Sequence, residues 1–259
     1  METLVVERTD GVVAVTMNRP ERKNAISGRM AVELIEVLTA VERDPADRVL
    51  VLAGAGGAFC SGADLTDTEG PLDPAQPGLT RMRRVGEVAL ALHHLTKPTV
   101  AKVDGFAVGA GMSLALGCDL VVASERAKFS MIFARRGLSV DFGSSWLLPR
   151  LIGMAKAKEL AFFADMLDAR QAHAAGLVNR VVAPGDLDAV VDEWARRLAD
   201  GPALALSMTK TLLESSLSLS MEEALEAEAR CQAVNFATED VAEARAAFAE
   251  KREPRFTGR

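Results

Sequence analysis

The sequence predicts an α/β protein whose core repeats strand–strand–helix turns before running into a helical C-terminal region. Short apolar strands alternate with helical patterns as far as Ala123, and after Ala155 the pattern turns almost wholly helical. Two of the strands run straight into glycine-rich loops, Gly54–Gly62 and Gly105–Gly111.

Each element has its own signal. Val12–Met17 reads as a strand, closed by the turn Asn18-Arg19-Pro20. From Ser27 onward, Met30, Leu34, Leu38 and Val41 fall at helical spacing, and Asp44-Pro45 ends the run. Val49–Leu52 is a continuous apolar strand, and Pro71, Pro74 and Pro77 mark an irregular loop beyond the first glycine segment. A helix over 81–95 leads to a strand at Thr99–Val103. A short helix over Met112–Gly117 opens from the second glycine loop, and Asp119–Ala123 returns to strand. One more short strand is expected near 177–182. Two helices fill Met221–Arg252, the second starting at Thr238 with acidic residues in its first turn and Lys251-Arg252 at its end, as the helix dipole favours.

Composition narrows the function. The chain has 259 residues, 49% hydrophobic and 25% charged, the balance of a globular protein. A net charge of −6 argues against nucleic acid or an acidic membrane as the main partner. The three cysteines are scattered, no CxxC occurs, and the histidines lack the spacing of a zinc site, so a reduced cytoplasmic setting without disulfide or metal is expected. Met1–Asp10 has no apolar core of a signal peptide, and Gly105–Cys118 is too short to span a bilayer.

The glycine loops are the features that can carry chemistry. Backbone N–H groups where a strand meets a helix lack partners and can point at an anion or at developing negative charge, and glycine or alanine lets a ligand approach them. Plain tight turns are the alternative. Gly109-Ala110-Gly111 lacks the third glycine of GxGxxG and no GK[ST] follows, which argues against dinucleotides.

Several segments together resemble the enoyl-CoA hydratase/isomerase (crotonase) superfamily: Asn18-Arg19-Pro20 with Asn24-Ala25, Ala58–Leu65, Lys97-Pro98, Val103–Gly111, Cys118-Asp119-Leu120, Ala175–Val178 and Phe248–Arg252. The match covers nearly the whole chain in order. It implies a crotonase (ClpP/crotonase-like) spiral of repeated ββα units, with residues 1–195 as an acyl-CoA-binding core. Residues 196–259 would be a helical region used in assembly of a homotrimer or dimer of trimers. It implies no cofactor other than coenzyme A arriving as part of the substrate. The resemblance assigns an oxyanion hole to the backbone N–H groups of Ser61 and Ala110, and places Lys23, Ala25, Gly62, Ala63, Asp64 and Leu65 along the coenzyme A arm.

The family's hydratases use two glutamates, and the matching positions here hold Ser113 and Phe133. Neither is a carboxylate, so ordinary hydration is not expected. Ser113 is left to bind a water or substrate oxygen, or to cap its helix; Phe133 shapes an acyl pocket or packs in the core. Asp141 matches the catalytic aspartate of dienoyl-CoA isomerases and of epoxide-ring CoA isomerases, and a double-bond shift needs only one base. From its neighbours alone, Asp141 is equally a base of raised pKa between Val140 and Phe142 or a cap for the helix holding Trp146–Leu148; the family position favours the base. The competing expectations are an atypical hydratase, a non-catalytic acyl-CoA binder, and a serine hydrolase built on Ser113, Asp119 or Asp141, and His173 without a nucleophile elbow.

Overall fold

A computed structural model describes residues 1–67, 75 and 77–259. The expected loop around Pro71 and Pro74 lies outside the described residues.

Among the described residues, nine strands form two sheets. The larger orders β1 (Leu4–Thr9), β2 (Val12–Met17), β3 (Val49–Gly54), β4 (Thr99–Val103), β6 (Leu120–Ser124) and β9 (Arg180–Val182), parallel except for the β1–β2 hairpin. The smaller joins β5 (Phe106–Val108), β7 (Lys128–Ser130) and β8 (Leu167–Asp168). Two turns of the spiral, β4 with β5 and β6 with β7, send their first strand to the large sheet and their second to the small one, and four turns close with a helix. Those helices are α1 (Gly28–Arg43), α2 (Gly78–His93), α3 (Ala110–Leu116) and α4 (Ser144–Phe163).

Burial explains the strand sequences. In β3, Leu50 and Leu52 face the main core while Val49 and Val51 face a second apolar cluster, so both faces are covered and the run is apolar throughout. The second cluster is closed by α6 (Leu187–Ala199), whose Leu187, Val191, Ala195 and Ala199 are buried at helical spacing. Between α4 and α6 comes α5 (Ala169–Ala174), and α4 itself is broken at Gly153, where φ is 74° and ψ 158°. The boundary expected after residue 195 thus falls inside a helix that belongs to the sheet. The helices that leave the core are α7 (Ala203–Ser216), α8 (Met221–Asn235) and α9 (Glu239–Glu250). Neither α7 nor α8 has a fully buried residue. None of the helices among the described residues is long and apolar enough to cross a membrane.

The helix expected from Ser27 is capped by it, its side chain accepting from Met30 N at 3.1 Å. The helix expected over 81–95 starts at Gly78, and that expected from Met112 starts at Ala110. The second difference matters for chemistry, because it makes Ala110 the first helical residue, with a backbone N–H that no earlier turn can receive.

Candidate active site

The two glycine loops meet between the sheets. Two single-residue parallel bridges hang the first loop in place, Cys60 to Ala107 and Ala63 to Ile26. Asn24 anchors it from below. In a left-handed conformation (φ 55°), its side-chain amide donates to the carbonyls of Ala55 (2.8 Å) and Ala58 (2.7 Å), and its Oδ1 accepts from Arg19 N. The Asn-Arg-Pro and Asn-Ala segments are therefore the latch of the loop.

The bridge also decides which N–H groups are open. The carbonyl of Gly62 accepts from Ile26 N (2.8 Å) and Asp64 N donates to Ile26 O (2.9 Å), so the N–H of Ala63 between them points away from that neighbour. Ser61 N donates to Lys23 O at 3.0 Å. Its N–H is already used, which corrects the expectation that Ser61 supplies half of the hole. Gly62, at φ 104°, is where the alternation of a regular strand reverses, turning the Ser61 N–H inward and the Ala63 N–H outward. The second open donor is Ala110: the N–H groups of Gly109 and Ser113 bond to Ser130 O and Gly109 O, and among the described residues none receives that of Ala110. The two segments touch closely, since a Cβ on Gly62 would lie 2.9 Å from Val108 O and 3.7 Å from Ala110 N.

These donors border a cavity of about 520 Å³ that Ser61, Gly62, Leu65, Phe133 and Lys23 also line. Lys23 is exposed, with its ammonium 4.7 Å from the centre of the Phe106 ring. Phe133 is 6% exposed, packs in the main core and also lines this cavity. Arg136, Ile132, Leu138 and Met166 complete the wall and carry no family-like motif; only their nearness in the fold shows them.

Asp141 lines this cavity too, and among the described residues it is the one carboxylate that does. It does not cap α4. That helix begins behind Gly143 without a side-chain cap, and it is the backbone carbonyl of Asp141 that accepts from Ser144 N (3.0 Å) and Ser144 Oγ (2.7 Å). The carboxylate oxygen Oδ1 is buried without a hydrogen-bond partner among the described residues. Burial pushes the Asp141 carboxyl above the ordinary aspartate value, with no nearby cation among the causes.

Three expected residues stand apart. Ala25 is buried, its carbonyl accepting from Arg19 Nη1 at 2.7 Å. Asp64 is tied to Arg19 (2.9 Å) and to Thr66 N and Oγ1; these bonds outweigh its burial and hold its carboxyl below the usual range. Ser113 is 1% exposed, with Oγ 2.5 Å from Ser144 Oγ and 3.1 Å from Gly109 O. It opens onto a neighbouring apolar cavity instead. Among the described residues the Ser113 hydroxyl bonds to Ser144 and Gly109 and to no imidazole, so it lacks the hydrogen-bonded base of a hydrolase; His173 donates from Nδ1 to Val178 O at 2.7 Å. At the tail, Arg252 is committed to Glu243 and Glu250, both at 2.6 Å.

The arrangement is two preorganised backbone donors and one desolvated carboxylate around a single cavity. It suits abstraction of a proton next to a carbonyl, where negative charge develops on oxygen. Comparison with known proteins bears on this. The family model described as Enoyl-CoA hydratase/isomerase matches residues 7–259. A 1,2-epoxyphenylacetyl-CoA isomerase of Escherichia coli is 39% identical over 100% of both chains. The mitochondrial enoyl-CoA hydratase domain-containing protein 2 of Bos taurus is 37% identical, over 96% of this chain and 85% of its own. The solved enoyl-CoA hydratase from Bacillus anthracis superposes with a TM-score of 0.93 at 29% identity, covering 99% of this chain and 100% of that one.

Proposed function

Since the chain belongs to the enoyl-CoA hydratase/isomerase family and has the crotonase fold, we propose that this enzyme isomerises an enoyl-CoA thioester, with Asp141 as the base that moves the proton. The observation that carries the reading is the unpartnered, buried Oδ1 of Asp141 in the cavity of the open Ala63 and Ala110 N–H groups.

In this reading the thioester oxygen sits between those two donors. Asp141 takes a proton from the α-carbon of a 3-enoyl thioester. The C–H electron pair becomes the enolate double bond, and the thioester oxygen takes up the negative charge. The protonated Asp141 returns the proton to the γ-carbon, the charge collapses back into the carbonyl, and a 2-enoyl thioester leaves with no net change in atoms or electrons. Each backbone donor is worth about 2.7–4 kcal/mol at the transition state. Hydration would call for a second carboxylate to hold and deprotonate water. Ser113 is bonded to Ser144, and Phe133 is apolar.

An ultraviolet assay with 3-enoyl-CoA and 2-enoyl-CoA tests this beside Asp141→Asn. Wild-type conversion of the 3-enoyl ester, with kcat lowered roughly 10²–10⁴-fold in the variant, is expected for loss of the base. Hydration of the 2-enoyl ester faster than isomerisation would overturn the reading.

The same reading carries a cytoplasmic homotrimer, or a dimer of trimers. Its support is the outward apolar surface of the C-terminal helices, with Leu213, Leu217, Met221 and Phe236 between 65% and 72% exposed. Light scattering of the purified protein reads the assembly directly, and a monomer would remove this part.

A further inference from the structure

Among the described residues no hydrogen bond reaches the buried Oδ1 of Asp141, so the aim of its carboxylate has to come from the main chain. That main chain is a strained turn. Phe142 follows at φ 53° and Gly143 at φ 82°, two left-handed residues in a row, and a bulky, buried side chain such as that of Phe142 rarely takes this conformation. Such a turn persists only where its surroundings hold it.

Two buried serines do the holding. Ser144, the first residue of α4, donates its N–H to Asp141 O at 3.0 Å, and its Oγ lies 2.7 Å from the same oxygen. Ser113 on α3 stands 2.5 Å from Ser144, Oγ to Oγ, and 3.1 Å from Gly109 O. The chain Gly109–Ser113–Ser144–Asp141 thus ties the turn that carries the base to the residue just before the Ala110 donor. Back-bonding to a carbonyl three or four residues earlier is ordinary for a serine in a helix and accounts for each outer contact. It does not account for the link between two serines 31 positions apart. Two hydroxyl protons serve the three contacts, so one terminal carbonyl goes without. Each of those carbonyls already accepts a backbone N–H at 3.0 Å, from Ser113 or Ser144, so neither is orphaned and the chain closes in either sense.

We propose that Ser113 and Ser144 are positioning residues of the reaction, which fix the placement of Asp141 relative to the Ala110 donor by joining α3 to the turn before α4; the proposal rests on Asp141 being the base. Ser144→Ala cuts the chain in the middle. Ser113→Ala cuts only the link to α3 and leaves Ser144 its bond to Asp141 O. Each variant removes one oxygen and leaves the other hydroxyl a carbonyl to bond, so both should fold, with thermal unfolding as the check.

Exchange of the α-protons of butyryl-CoA in deuterium oxide, followed by proton NMR, reads abstraction without any double bond. The α-proton passes to Asp141, which trades it for a deuteron of the solvent and returns that to the α-carbon. Turnover of 3-enoyl-CoA is measured beside it, and the Kd of butyryl-CoA by calorimetry. In Ser144→Ala both rates should fall about 10–10²-fold, as for a catalytic group displaced by up to about 1 Å, with Kd unchanged. Ser113→Ala should lose less, and the double variant no more than Ser144→Ala alone, because the two hydroxyls act as a unit. A contribution to folding alone would lower the unfolding temperature and leave the rate per folded molecule untouched. Wild-type exchange in folded Ser144→Ala, a loss that appears in Kd instead of rate, or additive losses in the double variant overturns the proposal. Failure of the isomerase reading looks different: exchange would still need Asp141 and still fall in Ser144→Ala, while no 3-enoyl ester turned over. Exchange that is absent from the wild type, or that survives Asp141→Asn, overturns both.

Discussion

Gly111→Ala probes the geometry of the hole most directly. A Cβ at Gly111 would lie 2.2 Å from the carbonyl oxygen of Cys60 and 2.8 Å from its carbon, and both are backbone atoms that no rotamer change can move. Non-bonded carbon and oxygen do not approach so closely, so the start of α3 and the 60–63 loop must part by about 1 Å, a displacement that costs on the order of 10²-fold in rate at a catalytic centre. These are the two segments that carry Ala110 and Ala63. If one donor is lost outright, kcat falls by roughly 10²–10³. Overpacking of this kind costs about 1–3 kcal/mol of stability, which leaves a folded protein to assay. Steady-state turnover of 3-enoyl-CoA is read beside thermal unfolding, with Gly78→Ala as a control because nothing lies within 4 Å of its added methyl. Wild-type kcat in a normally folded Gly111→Ala protein would refute the argument that the spacing of the two backbones makes the hole.

Other expectations follow from burial and bonding. Because burial raises the Asp141 pKa, kcat/KM should fall on the acid side at a pH above the ordinary aspartate value near 3.9, through loss of the ionised base. The same shift means that the fold favours protonated Asp141, so its contribution turns against stability as pH rises through the folded pKa; Asp141→Asn should unfold at a higher temperature than wild type at pH 8, and the gap should close in acid. Glu33 is fully buried, and although burial alone would raise its pKa, bonds from Glu2 N, Thr3 N, Thr3 Oγ1 and Arg29 Nε bring it to about 2. Glu33→Ala leaves those donors unpaired and should cost about 3 kcal/mol in denaturant unfolding at neutral pH, where the carboxylate is charged, with the deficit shrinking as pH falls toward 2. Gly86→Ala, inside α2 with open space around the new methyl, should stabilise by about 0.8–1.0 kcal/mol. Burial pushes the thiols of Cys60 and Cys118 up to about 12, so a thiol reagent should reach them only on unfolding.

Periodicity made the long elements legible. Met30, Leu34, Leu38 and Val41 fixed α1, and apolar runs fixed β3 and β4, because those faces meet a continuous core. Elements defined by pairing alone were not legible. β5 and β7 have three residues each, too few for a period, and β1 is an edge strand whose Glu7 and Arg8 face outward. At the site, Asp141, Ala110, Lys23 and Phe133 could be placed from motif positions, and the structure brings them around one cavity. The choice between Ser61 and Ala63 depends on the φ of Gly62, a backbone angle that residue types do not disclose. The turning of Ser113 toward Ser144 depends on a partner 31 positions away.

The bridges at Cys60 and Ala63 have one more consequence. In the proposed reaction, charge on the substrate oxygen would be met wholly by main chain, and every residue type except proline presents the same N–H. The acidity of the bound thioester would then be set by how two loops are strung between sheets, whereas the fate of the proton would be set by which of positions 113, 133 and 141 carries a carboxylate, here Asp141 alone. Those three codons can change the product without rebuilding the machinery that makes the carbon acid reactive. A search for new reactions in this scaffold would randomise them and leave the two glycine loops untouched.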